Sequence, residues 1–132
     1  MNDRPSNELR DEFSPSTPAV TSETVFQILS THRVVIVHFW AIWNLVDRTM
    51  DSRLMEIRGR LPIEVQYASC NVDAPSCFEL AKSVGVLNLP WLAVFVGGRH
   101  TGSICGLRNA DRLAQELLRL ISRGPVDEST SD

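Results

Sequence analysis

The stretch Val34-Val35-Ile36-Val37-His38-Phe39-Trp40-Ala41-Ile42-Trp43-Asn44-Leu45-Val46-Asp47 decides how the chain is read. Its first seven residues form a β-branched and aromatic run interrupted only by His38, as expected of a strand buried on both faces. The pattern then changes. Met50, Leu54, Ile57 and Leu61 follow at helical spacing, with Arg48, Arg53, Arg58 and Arg60 largely off that stripe. Asn44 suits an N-cap, and Asp47 three residues on resembles a capping box with Asp in place of Glu. A strand therefore feeds a helix whose N-terminus exposes unpaired N–H groups.

The periods alternate outward from this unit. Val25, Phe26, Ile28 and Leu29 predict a short helix after Thr21 or Ser22. Glu64 to Cys70 reads as a second strand, with Val65, Tyr67 and Ser69 alternating. Phe78, Ala81 and Val84 mark a helix that Gly85 ends. Trp91 to Val96 is a third strand, Gly97-Gly98 a hairpin turn, and Thr101 to Cys105 a fourth strand. Asn109 caps a last helix with Leu113, Leu117, Leu120 and Ile121 inward. The order α-β-α-β-α-β-β-α belongs to the α/β class. The β-α-β part is expected to be parallel and right-handed and the hairpin antiparallel, in a mixed sheet of four to five strands with helices on both faces.

The chain has 132 residues, 43% hydrophobic, which suits one domain with its own core. Residues 1–20 carry Pro5, Pro15 and Pro18 and two Arg against four acids, so they read as a mobile acidic arm. Residues 123–132 read as a similar tail, with Gly124-Pro125 as a helix stop. The domain is expected over 21–122. Arm and tail each carry −2, which leaves about +1 between them from the formal −3 of the whole. That balance gives no support for nucleic-acid binding. The segment Met1 to Glu8 has no apolar stretch of a secretory signal, and no run approaches the roughly 20 residues of a membrane span. The expected location is the cytoplasm, where free thiols stay reduced. Three cysteines are too few for a disulfide scaffold.

Several ordered motifs together resemble the thioredoxin family. Phe39-Trp40-Ala41-Ile42-Trp43 is similar to the Phe-Trp-Ala-x-Trp that precedes its Cys-Gly-Pro-Cys. Asn71-Val72-Asp73 is similar to the end of its next strand. Gly85-Val86-Leu87-Asn88-Leu89-Pro90 resembles the segment with its cis-proline, and Phe95-Val96-Gly97-Gly98 with Gly106 resembles its hairpin. The likeness covers about residues 20 to 122 and implies the thioredoxin fold, with Pro90 cis. The departures fall on the chemistry. Asn44 and Asp47 stand where the resemblance places the two cysteines, with Leu45-Val46 between them. His38 stands at the position of the family's buried acid, and Ser69 at that of a nearby lysine. Dithiol exchange needs an attacking and a resolving thiol, so this motif cannot support it, and no catalytic residue is assigned.

The resemblance also implies a groove between the loop before the helix and the cis-proline loop. In the family it takes an extended peptide, which pairs with the backbone of the residue before the proline. The matching residues are Trp43, Leu45, Val46, Leu89, Pro90 and Trp91. Exchanging Cys-Gly-Pro-Cys for a segment with Leu and Val makes this corner more apolar, as interaction sites are. The expected function is a non-catalytic binding, adapter or chaperone-type module for a protein or peptide segment, without nucleic-acid or membrane partners. Self-association into a homodimer through the same rim is the alternative partner. The run from Pro90 through Val94-Phe95-Val96-Gly97-Gly98-Arg99-His100-Thr101-Gly102 to Gly106 also resembles the thioredoxin-fold chaperones of bacterial hydrogenase maturation, which lack the cysteine pair and bind a partner's export signal.

Cys70 and Cys77 are the candidate redox thiols of an alternative reading, an unconventional thiol-redox protein. Cys70 ends a strand, and Cys77 lies after Pro75 in the first turn of a helix, where the N-terminus can lower a thiol pKa. Packing is the other reading of both, and of Cys105. His38 is either a core histidine with one hydrogen bond or a titrating switch. Cys-x6-Cys is not ligand spacing and His32, His38 and His100 are scattered, so no metal or cofactor is expected.

Overall fold

The computed structural model describes residues 13–124. Its elements are α1 (Val25–Thr31), β1 (Val34–Trp40), α2 (Val46–Ile57), β2 (Gln66–Asn71), α3 (Phe78–Val84), β3 (Trp91–Val96), β4 (Arg99–Cys105) and α4 (Ala110–Ser122). Short 3-10 turns at Arg58–Arg60 and Pro75–Cys77 follow α2 and precede α3. The four strands form one sheet in the order β2-β1-β3-β4. β1 pairs β2 in parallel and β3 in antiparallel, and β3 and β4 form the antiparallel hairpin. The expected mixed sheet is therefore present with four strands. Gly97 and Gly98 turn the hairpin with φ of 61° and 80°, values that β-branched or bulky residues resist.

β1 is central, and its alternation builds two cores. Val34 and Ile36, with Leu92, Val94 and Val96 of β3, pack beneath Met50, Leu54 and Ile57 of α2 and Leu113, Leu117, Leu120 and Ile121 of α4. Val35, Val37 and Phe39 face the other way, against Val25 of α1, Leu80 of α3, and Ala68, Cys70, Cys77 and Phe95. Burying each such aliphatic side chain stabilises the fold by about 1.5–3 kcal/mol before ordering entropy is deducted. Leu61 joins the first core from beyond the 3-10 turn, so the sequence stripe outran the helix itself, which ends at Ile57. Asn109 caps α4 as expected, its side chain accepting from the Arg112 N–H at 2.8 Å.

Three sequence expectations are corrected. Residues 13–20 of the predicted arm are built into the fold. Phe13 meets Trp40 edge-on at 5.6 Å, Ser16 donates to Asp51 through its N–H and hydroxyl, and Ala19 bridges Ser69 in parallel. The Ser69 N–H donates to Pro18 O and the Val20 N–H to Ser69 O, each at 2.8 Å. This segment thus satisfies backbone groups on the outer side of β2, which local composition does not reveal. Gly124, assigned to the tail, is buried against Val96. Cys105, read as packing, is exposed, because β4 is the sheet edge. The rest of the predicted arm, 1–12, and of the tail, 125–132, lies outside the described residues.

Candidate functional site

The corner after β1 is built around a buried acid. β1 parity points His38 to the same side as Val34 and Ile36, under the start of α2. Asp47 lies one turn before Met50 and Asp51 on the inward stripe of α2. The two side chains meet fully buried, with His38 Nε2 3.2 Å from Asp47 Oδ1. The other carboxylate oxygen accepts from the Ala41 N–H at 3.0 Å. Asp47 therefore does not complete the capping box predicted for it. It reaches past Asn44 and ties the residue after β1 and the strand's histidine to the helix start. His38 keeps the single side-chain hydrogen bond of a core histidine, and its Nδ1 has no partner among the described residues.

Asn44 carries the remaining polar work. Its Oδ1 accepts from the Val46 N–H at 3.0 Å, which satisfies one orphan donor of α2. Its Nδ2 donates to Leu89 O at 3.3 Å, joining the helix start to the loop before Pro90. The Leu89-Pro90 peptide bond is cis. Between these loops lies a cleft of about 400 Å³ lined by Trp43, Asn44, Val72, Val86, Leu87 and Leu89, among others. Trp43 forms one wall. It is 65% exposed, and its indole N–H donates to Asp73 Oδ2 at 2.8 Å, which holds the ring upright.

The predicted rim residues divide. Trp43 and Leu89 line the cleft, while Leu45 (69% exposed) and Val46 (43%) stand beside it. Pro90 is buried and Trp91 is half-buried, packed on the core that contains Phe39 and Phe95, so neither offers an open apolar face. Sequence reading missed Ile42 and Leu87, both exposed, Val72, which lines the cleft, and Asp73, which holds the Trp43 indole. In the sequence, Asn71-Val72-Asp73 carries only a family resemblance. The available signal was that a loop ending a parallel strand beside β1 must open at the same edge as Trp43.

Cys70 and Cys77 share the second core, both buried. Burial, with Cys77 as neighbour, pushes the Cys70 thiol far above its ordinary range. Cys77 lies in the 3-10 turn rather than in the first turn of α3, and its thiol donates to Val20 O at 3.4 Å. Neither is open to a substrate. Among the described residues no three His, Cys, Asp or Glu side chains are placed to hold a metal ion, and no helix is long and apolar enough to cross a membrane.

Comparison with known proteins agrees with this architecture. A family model for thioredoxin matches residues 16–119. A thioredoxin of Alicyclobacillus acidocaldarius is 28% identical over 102 residues, covering 77% of this chain and 95% of that protein. A thioredoxin of Mycobacterium bovis is 27% identical over 110 residues, covering 83% and 93%. A mutant thioredoxin from Halobacterium salinarum superposes with a TM-score of 0.68 at 22% identity, over 83% of this chain and 95% of that one, which shows the shared fold. The chain has cysteines only at 70, 77 and 105, so it contains no Cys-x-x-Cys. Since the family match runs from the segment along β2 into α4, the chain belongs to the thioredoxin family.

Proposed function

We propose that this chain is a thioredoxin-family protein without dithiol chemistry, which binds an extended protein segment in the cleft between Trp43 and Leu89. One observation carries the reading. Where the resemblance places the redox pair, Asn44 and Asp47 are engaged in holding the corner together, and the surface around them is apolar. Ile42, Trp43, Leu45, Val46 and Leu87 are all exposed there, a grouping typical of interaction surfaces, with Trp a frequent hot spot. Leu89 O accepts from Asn44 Nδ2 and retains a second lone pair for a peptide N–H. The likeness of residues 90–106 to thioredoxin-fold chaperones that lack the cysteine pair supports a chaperone-type or adapter role, with a protein partner at this rim.

Arrays of unstructured peptides, followed by NMR shift mapping on the full chain, test the proposal. Peptides with apolar side chains are expected to perturb Trp43, Leu45 and Leu87 to Leu89. Trp43→Ala with Leu45→Ser is expected to weaken binding by roughly tenfold or more. Binding that is unchanged in this double variant overturns the reading.

One second reading is a thiol-redox protein acting through Cys70 and Cys77, whose thiols are neighbours, though both are buried. It requires insulin reduction or peroxide consumption that disappears in Cys77→Ser. No turnover with dithiothreitol or a reductase removes it.

A further inference from the structure

The far end of the sheet from the rim holds a second feature. β3 runs from Trp91, opposite Phe39, to Val96, opposite Val34 and Arg99. Five residue steps of strand put Arg99 roughly 17 Å from the Trp91 end. There a cleft of about 350 Å³ is lined by Arg99, His100, Thr101 and Arg123. It adjoins a smaller one of about 210 Å³ that shares Arg123 and includes Arg119 and Glu116.

Three arginines line the two clefts: Arg99 the larger, Arg119 the smaller and Arg123 both. Elsewhere on the surface Arg33 pairs with Glu64, Arg53 with Glu56, Arg60 with Asp111, and Arg108 and Arg112 with Glu116. Among the described residues no ion pair engages Arg99, Arg119 or Arg123. They are not spent on capping α4 either. The Thr101 hydroxyl donates to Leu120 O at 2.8 Å. The backbone N–H groups of Arg123 and Gly124 and the Ser122 hydroxyl take the Arg119 and Ile121 carbonyls of the last turn. Glu116 is already neutralised by two guanidiniums. A β-bulge adds Thr101 between His100 and Gly102, turning Thr101 toward the helix. Bulges commonly re-aim side chains at sites. The negative end of the α4 dipole is offset by Arg119 and Arg123 in and just after its last turn.

We infer that this cleft binds a phosphate group, gripped by the guanidinium forks of Arg99 and Arg123 with Arg119 at its border. Planar guanidinium donors match the paired oxygens of such a group. The cleft has room for more than the bare ion, so a free phosphate and a small phosphate monoester are the two sources to distinguish. His100 provides an independent readout. Desolvation lowers its pKa, against a hydrogen bond that the ring donates to the Gly102 carbonyl and that raises it, and an adjacent dianion shifts it upward.

The experiment is a titration of the full-length 15N-labelled protein with inorganic phosphate and, separately, ribose 5-phosphate, at constant ionic strength against chloride. Saturable shifts are expected at Arg99 to Ser103 and Arg119 to Gly124, with an upward move of the His100 ring titration. Arg99→Gln and Arg123→Gln are each expected to weaken binding by roughly tenfold or more, while Arg60→Gln, an arginine paired with Asp111 outside the clefts, leaves it unchanged. Tighter binding of ribose 5-phosphate assigns the site to a monoester, and equal binding to phosphate alone. Shifts that do not saturate, that spread over all arginines, or that survive Arg99→Gln with Arg123→Gln overturn the inference, as does an unmoved His100. The amide spectrum reports the fold of every variant in the same measurement.

Discussion

Asp47 satisfies two buried donors at once, His38 Nε2 and the Ala41 N–H. Truncation would leave both without an acceptor in a site with no water access, the situation in which a lost partner costs most. Asp47→Ala is expected to lower stability by about 3 kcal/mol in urea denaturation, and Asp47→Asn by less, since the amide retains one acceptor. The position was legible in outline. The helical stripe of Met50, Leu54 and Ile57 extends back to Asp47 by the same period, and strand parity sends His38 toward it. An apolar pattern gives no reason to continue a stripe through a carboxylate, so the pair stayed hidden until the chain was folded. Cysteines make the complementary case. Burial pushes the Cys70 thiol up and Cys105 is exposed, so a thiol reagent is expected to modify Cys105 rapidly in the native protein. Cys70 and Cys77 should react only after unfolding. Fast modification of Cys70 or Cys77 in the native state would contradict their buried placement.

Two glycines sit at close contacts between the last helix region and the β3-β4 hairpin: Gly102 of β4 against Leu120 of α4, and Gly124, just beyond α4, against Val96 of β3. A Cβ on Gly102 would lie 2.5 Å from Leu120 Cδ2, and one on Gly124 would overlap Val96 Cβ and Cγ1. Leu120 can rotate its terminal methyls away, whereas Val96 is β-branched and fixed within β3. Gly124→Ala is therefore expected to cost more than Gly102→Ala, within about 1–3 kcal/mol for overpacking. At roughly 4 °C per kcal/mol for a domain of this size, thermal melts should separate the two, and equal losses would refute the packing argument. The strands and helices themselves were legible, because β1 and β3 are continuous apolar runs and α4 a clean amphipathic stripe. What the sequence hid were element edges that depend on distant partners. Residues 17–20 look like a polar, proline-marked arm, yet they are ordered by Ser69, roughly fifty positions away, through backbone bonds that side-chain composition does not encode. Gly124 does follow the end of α4 at Ser122, as a helix stop should. Its smallness also provides contact space against Val96, which only the folded neighbour reveals.

Across the whole molecule, the resolved carboxylate and histidine shifts act in one direction. Partial desolvation holds the His100 ring below its ordinary value of 6.5, although the residue is exposed overall and its share is correspondingly small, so the unfolded chain takes up that proton first as pH falls. Stability contributed by its neutral form is then lost between 6.5 and the folded value. Glu116 would be raised by its burial, but hydrogen bonds and charge from Arg112 and Arg108 bring it below 4.5. Glu64 is held low by its hydrogen bond to Arg33. Their stabilisation is complete above the unfolded carboxylate value and disappears as pH drops through the folded ones. Glu64 is fully exposed, so salt screens its share, and Glu116, shared by two arginines, carries more. The urea midpoint is therefore expected to be flat above neutrality and to fall in two stages on acidification, one below about 6.5 and one below about 4.5. A phosphate-free buffer keeps the Arg99–Arg123 cleft from adding a bound anion to the balance. His100→Gln should remove the first stage and leave the second, and Glu116→Gln should shrink the second and leave the first. A midpoint that rises between pH 7 and 5 would mean that groups favouring protonation in the folded state outweigh His100, and the assignment of acid sensitivity to these side chains would fail.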